Sequence, residues 1–144
     1  MNDLNRPGPD PEAIVNYIRD TYPDTAILEA GGTWFFSLDA ERHFPNFATI
    51  VTNDDFDEGS NLSRPGVFRL NIGVDRATVD GVVGHEQEPD FASLDQFLPH
   101  PTYARQHWIC ILNPSASRFE ADVKPLIALA HDRLATARAR RART

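Results

Sequence analysis

Apolar residues recur at helical spacing near the N-terminus and alternate with polar ones through the middle of the chain. The helical pattern places Ile14, Val15, Tyr17 and Ile18 on one face, behind Asp10 as N-cap, Pro11 at the first helical position and Glu12 in the first turn. Pro23 disfavours helical backbone at Tyr22, so this helix is predicted to end near Thr21. Two β-rich segments, Thr25–Glu29 and Thr33–Leu38, meet across Gly31 and Gly32, which supply the positive φ of a tight hairpin. A third run, Phe47–Thr52, follows the His43-Phe44-Pro45-Asn46 loop. The fourth, Val67–Val74, alternates: Phe68, Leu70, Ile72 and Val74 take the core side, and Val67, Arg69, Asn71 and Gly73 the other. Arg69 and Asn71 are therefore expected on the opposite surface, within reach of solvent or ligand.

Asp75 is a good N-cap for a helix through about Val83, with Ala77, Val79, Val82 and Val83 available for burial and Gly84 as a stop. From His85 to Gln106 no period is evident, which predicts a long loop or a short helical turn pinned by Phe91, Leu94, Phe97 and Leu98. His107–Leu112 is predicted as a strand with Trp108, Cys110 and Leu112 on one side. The last helix carries Val123, Leu126, Ile127, Ala130 and Leu134. Ser117 and Glu120 have capping-box spacing, but that start would bury Pro125 in the helix interior, so a start near Asp122 is predicted. The order α-β-β-β-β-α-β-α gives an α+β fold, an antiparallel sheet of about five strands with helices packed on one face.

A chain of 144 residues fits one domain. It divides into a lead-in at 1–9, a domain at 10–136 and a basic tail at 137–144. The single cysteine, Cys110, excludes an intramolecular disulfide. No signal-peptide layout is present, and no apolar run approaches the ~20 residues that span a bilayer. A cytoplasmic protein with no membrane partner is expected. Its net charge of −7 is uneven: Asp132 to Thr144 carries five arginines against one acid, a balance of +4 that leaves −11 for the rest.

An acidic body repels phosphate backbones, so nucleic acid is not an expected partner, although the arginines could serve a nucleic-acid-binding regulator. A solvated helix end whose cations complement the helix dipole explains the same residues. Thirteen arginines against one lysine, Lys124, have the look of a GC-rich bacterial genome.

Three stretches carry a resemblance: FATIVTNDDFD at Phe47–Asp57, NLSRPGVFRLNIGV at Asn61–Val74 and PHPTYARQHWICILNP at Pro99–Pro114. The combination of RPGxFRLNIGV with HPxYxxxxW resembles an uncharacterised family common in actinobacteria, one of the domains of unknown function, from about Ile14 to about Leu134. More distantly, the order of elements is similar to the MmcQ/YjbR-like proteins, whose fold resembles secretion chaperones. The resemblance implies that fold and carries no activity. The DNA-binding label sometimes given to the YjbR-like proteins does not suit an acidic body with one lysine.

Candidate chemistry is sparse. Asp54, Asp55, Asp57 and Glu58 offer oxygen ligands, but Phe56 and the misplaced glycine break the EF-hand template, and a solvated acidic turn explains them. His85, His100 and His107, with Glu86 or Glu88, lack the tight spacing of zinc ligands. Cys110 lies mid-strand among isoleucines, as a small hydrophobe does. No metal and no cofactor are expected.

An aromatic constellation is more promising: Trp34, Phe35 and Phe36 on the second strand, Trp108 on the last, and the His100 to Tyr103 turn could gather around Arg69 and Asn71. Arg69 would anchor an anion, and His100 could exchange a proton. The same aromatics also make sense as core residues. The expected function is a binding module for a small anionic or aromatic ligand or a protein partner. A small enzyme with His100 as general acid/base and Arg69 as anion stabiliser is the alternative, and two copies could pair through a sheet edge or a sheet face. The binding reading expects Arg69→Ala to abolish ligand binding with little change in thermal stability.

Overall fold

A computed structural model describes residues 7–55, 59–84 and 88–142. Helix α1 spans Pro11–Thr21, where Asp10 accepts the Ala13 N–H at 2.8 Å. Ile14, Val15 and Ile18 are its buried face. The helix ends where expected, because the Tyr22 N–H closes the last turn on Ile18 and Pro23 follows. Strands β1 (Ala26–Ala30) and β2 (Thr33–Ser37) form the hairpin, with Gly31 at φ 60° and Gly32 at φ 81°. These two positive angles are those of the turn that matches strand twist. Next come β3 (Asn46–Val51) and β4 (Arg69–Gly73), then helix α2 (Arg76–Val82), β5 (Phe97–Pro99) and β6 (Trp108–Leu112). At the start of α2 the Thr78 hydroxyl and N–H hold the Asp75 carboxyl below its ordinary range.

The sheet is antiparallel throughout, in the order β1-β2-β3-β4-β6-β5. It has six strands rather than the five expected. The extra one lies inside the segment read as a loop, where Phe97 pairs with Ile111 and Leu98 with Cys110. Three residues ending in a proline can cap a sheet edge but are too short to show alternation.

The C-terminal helix also departs from expectation. It opens at Ala116–Arg118 with Ser115, not Ser117, accepting the Arg118 N–H at 3.2 Å. It widens into a π-helical stretch, Phe119–Val123, and continues as Lys124–Ala142. Pro125 has no N–H to donate, and the wider turn, in which the Lys124 N–H reaches Phe119, carries the helix past it.

The α-helices pack on one face. Ile14 and Ile18 of α1 and Val123, Ile127 and Ala130 of the last helix meet Phe36, Ala48, Ile50, Leu70, Ile72, Ile109 and Ile111 of the sheet. On the other face a smaller cluster joins Val51, Cys110, Leu112 and Leu98 of the edge strand β5 to Leu62 of the loop before β4. Arg64 ties that loop down, its guanidinium donating to the Ser60 and Ala92 carbonyls at 3.0 Å each. Among the described residues no helix is long and apolar enough to cross a membrane.

Tyr22 joins the two ends of the helical layer. Its ring stacks on His131 at 4.4 Å. Burial, then Tyr17 and Asp132, push its hydroxyl up from 10.0 to about 12. The folded value exceeds the unfolded one, so this contribution is intact below the unfolded value and is lost as pH rises through the folded one. The expected result is a tyrosinate absorbance step near 12 that Tyr22→Phe removes. A step near 10.0 in the Tyr22→Phe difference spectrum would contradict it.

Candidate functional site

Strand alternation decides which side chains reach the face that the helices leave open. Leu70, Ile72, Ile109 and Ile111 lie in the helix-side core, so Arg69, Asn71 and Gly73 of β4 and Trp108 of β6 fall on the other face. Register then sets the rows. Thr33, Val51 and Arg69 align across β2, β3 and β4, and Phe35, Thr49 and Asn71 form the next row. These rows form the floor of an open cleft of about 610 Å³. Phe44 and Pro45, joined by a cis peptide bond, form one wall with Asn46. His100, Thr102, Tyr103 and Gln106 form the other. Phe44 and Tyr103 stand exposed on the rim.

The floor is polar at its centre. Arg69 is 0 % exposed and Asn71 2 %, so neither projects into solvent as the alternation implied. The covering loop explains the difference. The Arg69 guanidinium reaches the Ser60 hydroxyl at 2.9 Å through Nη1, and its Nε donates to Asn71 Oδ1 at 2.8 Å. The Asn71 amide in turn donates to Thr49 Oγ1 at 2.9 Å. Two further cleft residues, Thr33 and Asn46, have a buried oxygen without a hydrogen-bond partner among the described residues. An unmet buried polar atom costs about 1–3 kcal/mol, so this face carries polar groups that folding alone does not satisfy.

His100 is buried on the wall, with its ring 5.0 Å from that of Tyr103. Its Nδ1 accepts the Thr102 and Tyr103 N–H groups, both at 3.0 Å. An imidazole nitrogen that accepts carries no hydrogen, so the neutral ring holds its proton on Nε2. His100 is thus fixed as a donor at Nε2, and taking up a proton at Nδ1 would break both bonds.

Gly73 lets Trp108 lie close against the sheet. The two are cross-strand partners, and a Cβ on Gly73 would stand 3.1 Å from Cε2 and Cζ2 of the indole. A side chain there makes the indole, itself part of the cleft lining, give way by a few tenths of an ångström.

The cleft thus brings together Arg69, Asn71, His100, Tyr103 and Trp108. It does not include Trp34, which the sequence had grouped with them. Trp34 pairs with Ile50 and packs half-buried on the helix-side core, because Phe36, two residues on, is a core residue and shares its face. Of the three aromatics on β2, Phe35 is the one that lines the cleft. Ser60, Thr49, Phe44 and Asn46 carried no motif that could single them out. Thr49 becomes visible only once its pairing with Asn71 is known.

Asp57, Glu58, His85 and Glu86, considered as metal ligands above, lie outside the described residues. Among the described residues no three His, Cys, Asp or Glu side chains gather closely enough to hold a metal ion. Cys110 is buried. In the basic helix end, Arg138 lies 3.7 Å from Asp39. Residues 9–144 match DUF6194, a family of unknown function. No curated protein and no solved structure matches the chain.

Proposed function

We propose that this chain, which belongs to the DUF6194 family, is a binding module for a small molecule with an aromatic or other apolar body and an anionic end. One observation carries the reading: an open cleft of about 610 Å³ with largely apolar walls has a fully buried arginine in its floor. Ligand sites are commonly concave, mainly apolar and oriented by a few placed polar groups, at volumes of roughly 300–1,000 Å³. Phe35, Val51 and Trp108 would take the apolar body. The enzymatic alternative is less well supported, since the lone pair that His100 needs as a base is engaged by two backbone donors.

The same reading keeps several further proposals. These are a cytoplasmic location, an actinobacterial source, a fold like that of the YjbR-like proteins, and pairing of two copies through a sheet edge or face. The element order and composition support them.

A titration with N-phenylnaphthylamine, a neutral aromatic probe that brightens in apolar surroundings, tests the cleft. Wild type is expected to bind one probe per chain. Gly73→Val, which displaces the Trp108 indole in the cleft lining, weakens binding about tenfold or more, while Trp34→Phe on the opposite face leaves it unchanged. Equal binding by wild type and Gly73→Val, or no saturable binding, would overturn the reading.

A further inference from the structure

The hydrogen bonds in the cleft floor run in one direction, and that direction selects the chemistry they can receive. An arginine side chain donates and never accepts. The contact from Arg69 Nε must therefore end on the carbonyl oxygen of Asn71, at 2.8 Å. This orients the amide, and its NH₂ group donates across the strand pair to Thr49 Oγ1 at 2.9 Å. A hydroxyl that accepts through oxygen keeps its own hydrogen for donation. Thr49 donates to no described residue, and it is a half-buried part of the cleft floor. The relay that starts at a buried cation thus ends in an O–H donor at the cleft.

We infer that Thr49 is the residue that reads the ligand's buried end, and that it reads an oxyanion, a carboxylate or sulfonate carried on an aromatic body. This rests on the cleft being a ligand site. A cationic neighbour upstream in the chain polarises each bond toward donation, so an acceptor bearing negative charge gains most from the terminal O–H. At Thr49 itself an amine or a cation meets a hydrogen already directed outward and gains less than an acceptor does.

Two probes on one skeleton test this: anilinonaphthalene sulfonate, which carries an oxyanion, and N-phenylnaphthylamine, which lacks it. Thr49→Val removes the hydroxyl at nearly constant volume, and Thr49→Ser retains it. The expected result is that wild type and Thr49→Ser prefer the sulfonate. Thr49→Val loses about tenfold in affinity for it and less than about twofold for the neutral probe. If both probes bind and their ratio is the same in Thr49→Val, Thr49 reads nothing, and this inference fails while the cleft stands. If neither probe binds wild type saturably, the cleft reading fails and takes the inference with it. Loss of the sulfonate preference in Thr49→Ser as well would assign the effect to packing and overturn the role of the hydroxyl.

Discussion

Arg69→Ala is expected to lower the melting temperature by about 10 °C, measured by thermal unfolding, as well as to abolish binding of an anionic probe. Arg69 is fully buried, and two of its partners, the Ser60 hydroxyl and Asn71 Oδ1, belong to residues that are also buried. Removing the guanidinium leaves both acceptors short of a donor away from water, at about 1–3 kcal/mol each. It also empties the space of a long side chain between the sheet and the Ser60 loop. The sum of roughly 3 kcal/mol gives the stated shift in a domain of this size. This reverses the expectation from alternation alone, which placed Arg69 at the surface and its removal at little cost in stability. A shift of less than about 2 °C would restore that expectation and contradict the buried network.

Adjacent phenylalanines on β2 provide the second large effect. Phe36 is 0 % exposed in the helix-side core, with its ring 6.3 Å from that of Phe47. Phe36→Ala removes a buried aromatic and leaves a cavity, which costs about 3–5 kcal/mol. Phe35 is half-buried and belongs to the cleft, where solvent or ligand can fill the space, so Phe35→Ala is expected to cost less than half as much while weakening the neutral probe. Chemical denaturation of the two variants reads the difference directly. Equal losses would mean that both faces of β2 are closed core, contrary to an open cleft.

Local signals predicted the elements well where they were strong. Asp10, Pro11 and Glu12 mark the start of α1 through a cap, a fixed φ and a favourable charge, and Gly31 and Gly32 can satisfy the positive angles of the hairpin. Weak local signals failed for physical reasons. The strand at Phe97–Pro99 exists because β6 offers it an edge, not because three residues show a period. The last helix starts early because a π-helical stretch absorbs Pro125, a solution that a propensity argument does not contain.

The site was partly legible for the same reason. Alternation separated Arg69 and Asn71 from the core side of β4, but only the fold shows that both are buried, Arg69 against Ser60 of the loop before β4. Three consecutive aromatics, Trp34, Phe35 and Phe36, cannot share one face, and the parity that assigns Phe35 to the cleft follows from Phe36 being in the core. Thr49 enters through strand register, a long-range property with no motif of its own.

If the open face of the sheet is where this protein binds, a ligand must perturb that face and leave the helical layer alone. Backbone amide NMR during titration with N-phenylnaphthylamine tests it most directly. Saturable shifts are expected to concentrate on Phe35, Thr49, Asn71 and Trp108, with Ile14, Ile18 and Ile127 of the helical layer unmoved. Shifts centred on the helices, or spread evenly over both faces, would contradict it.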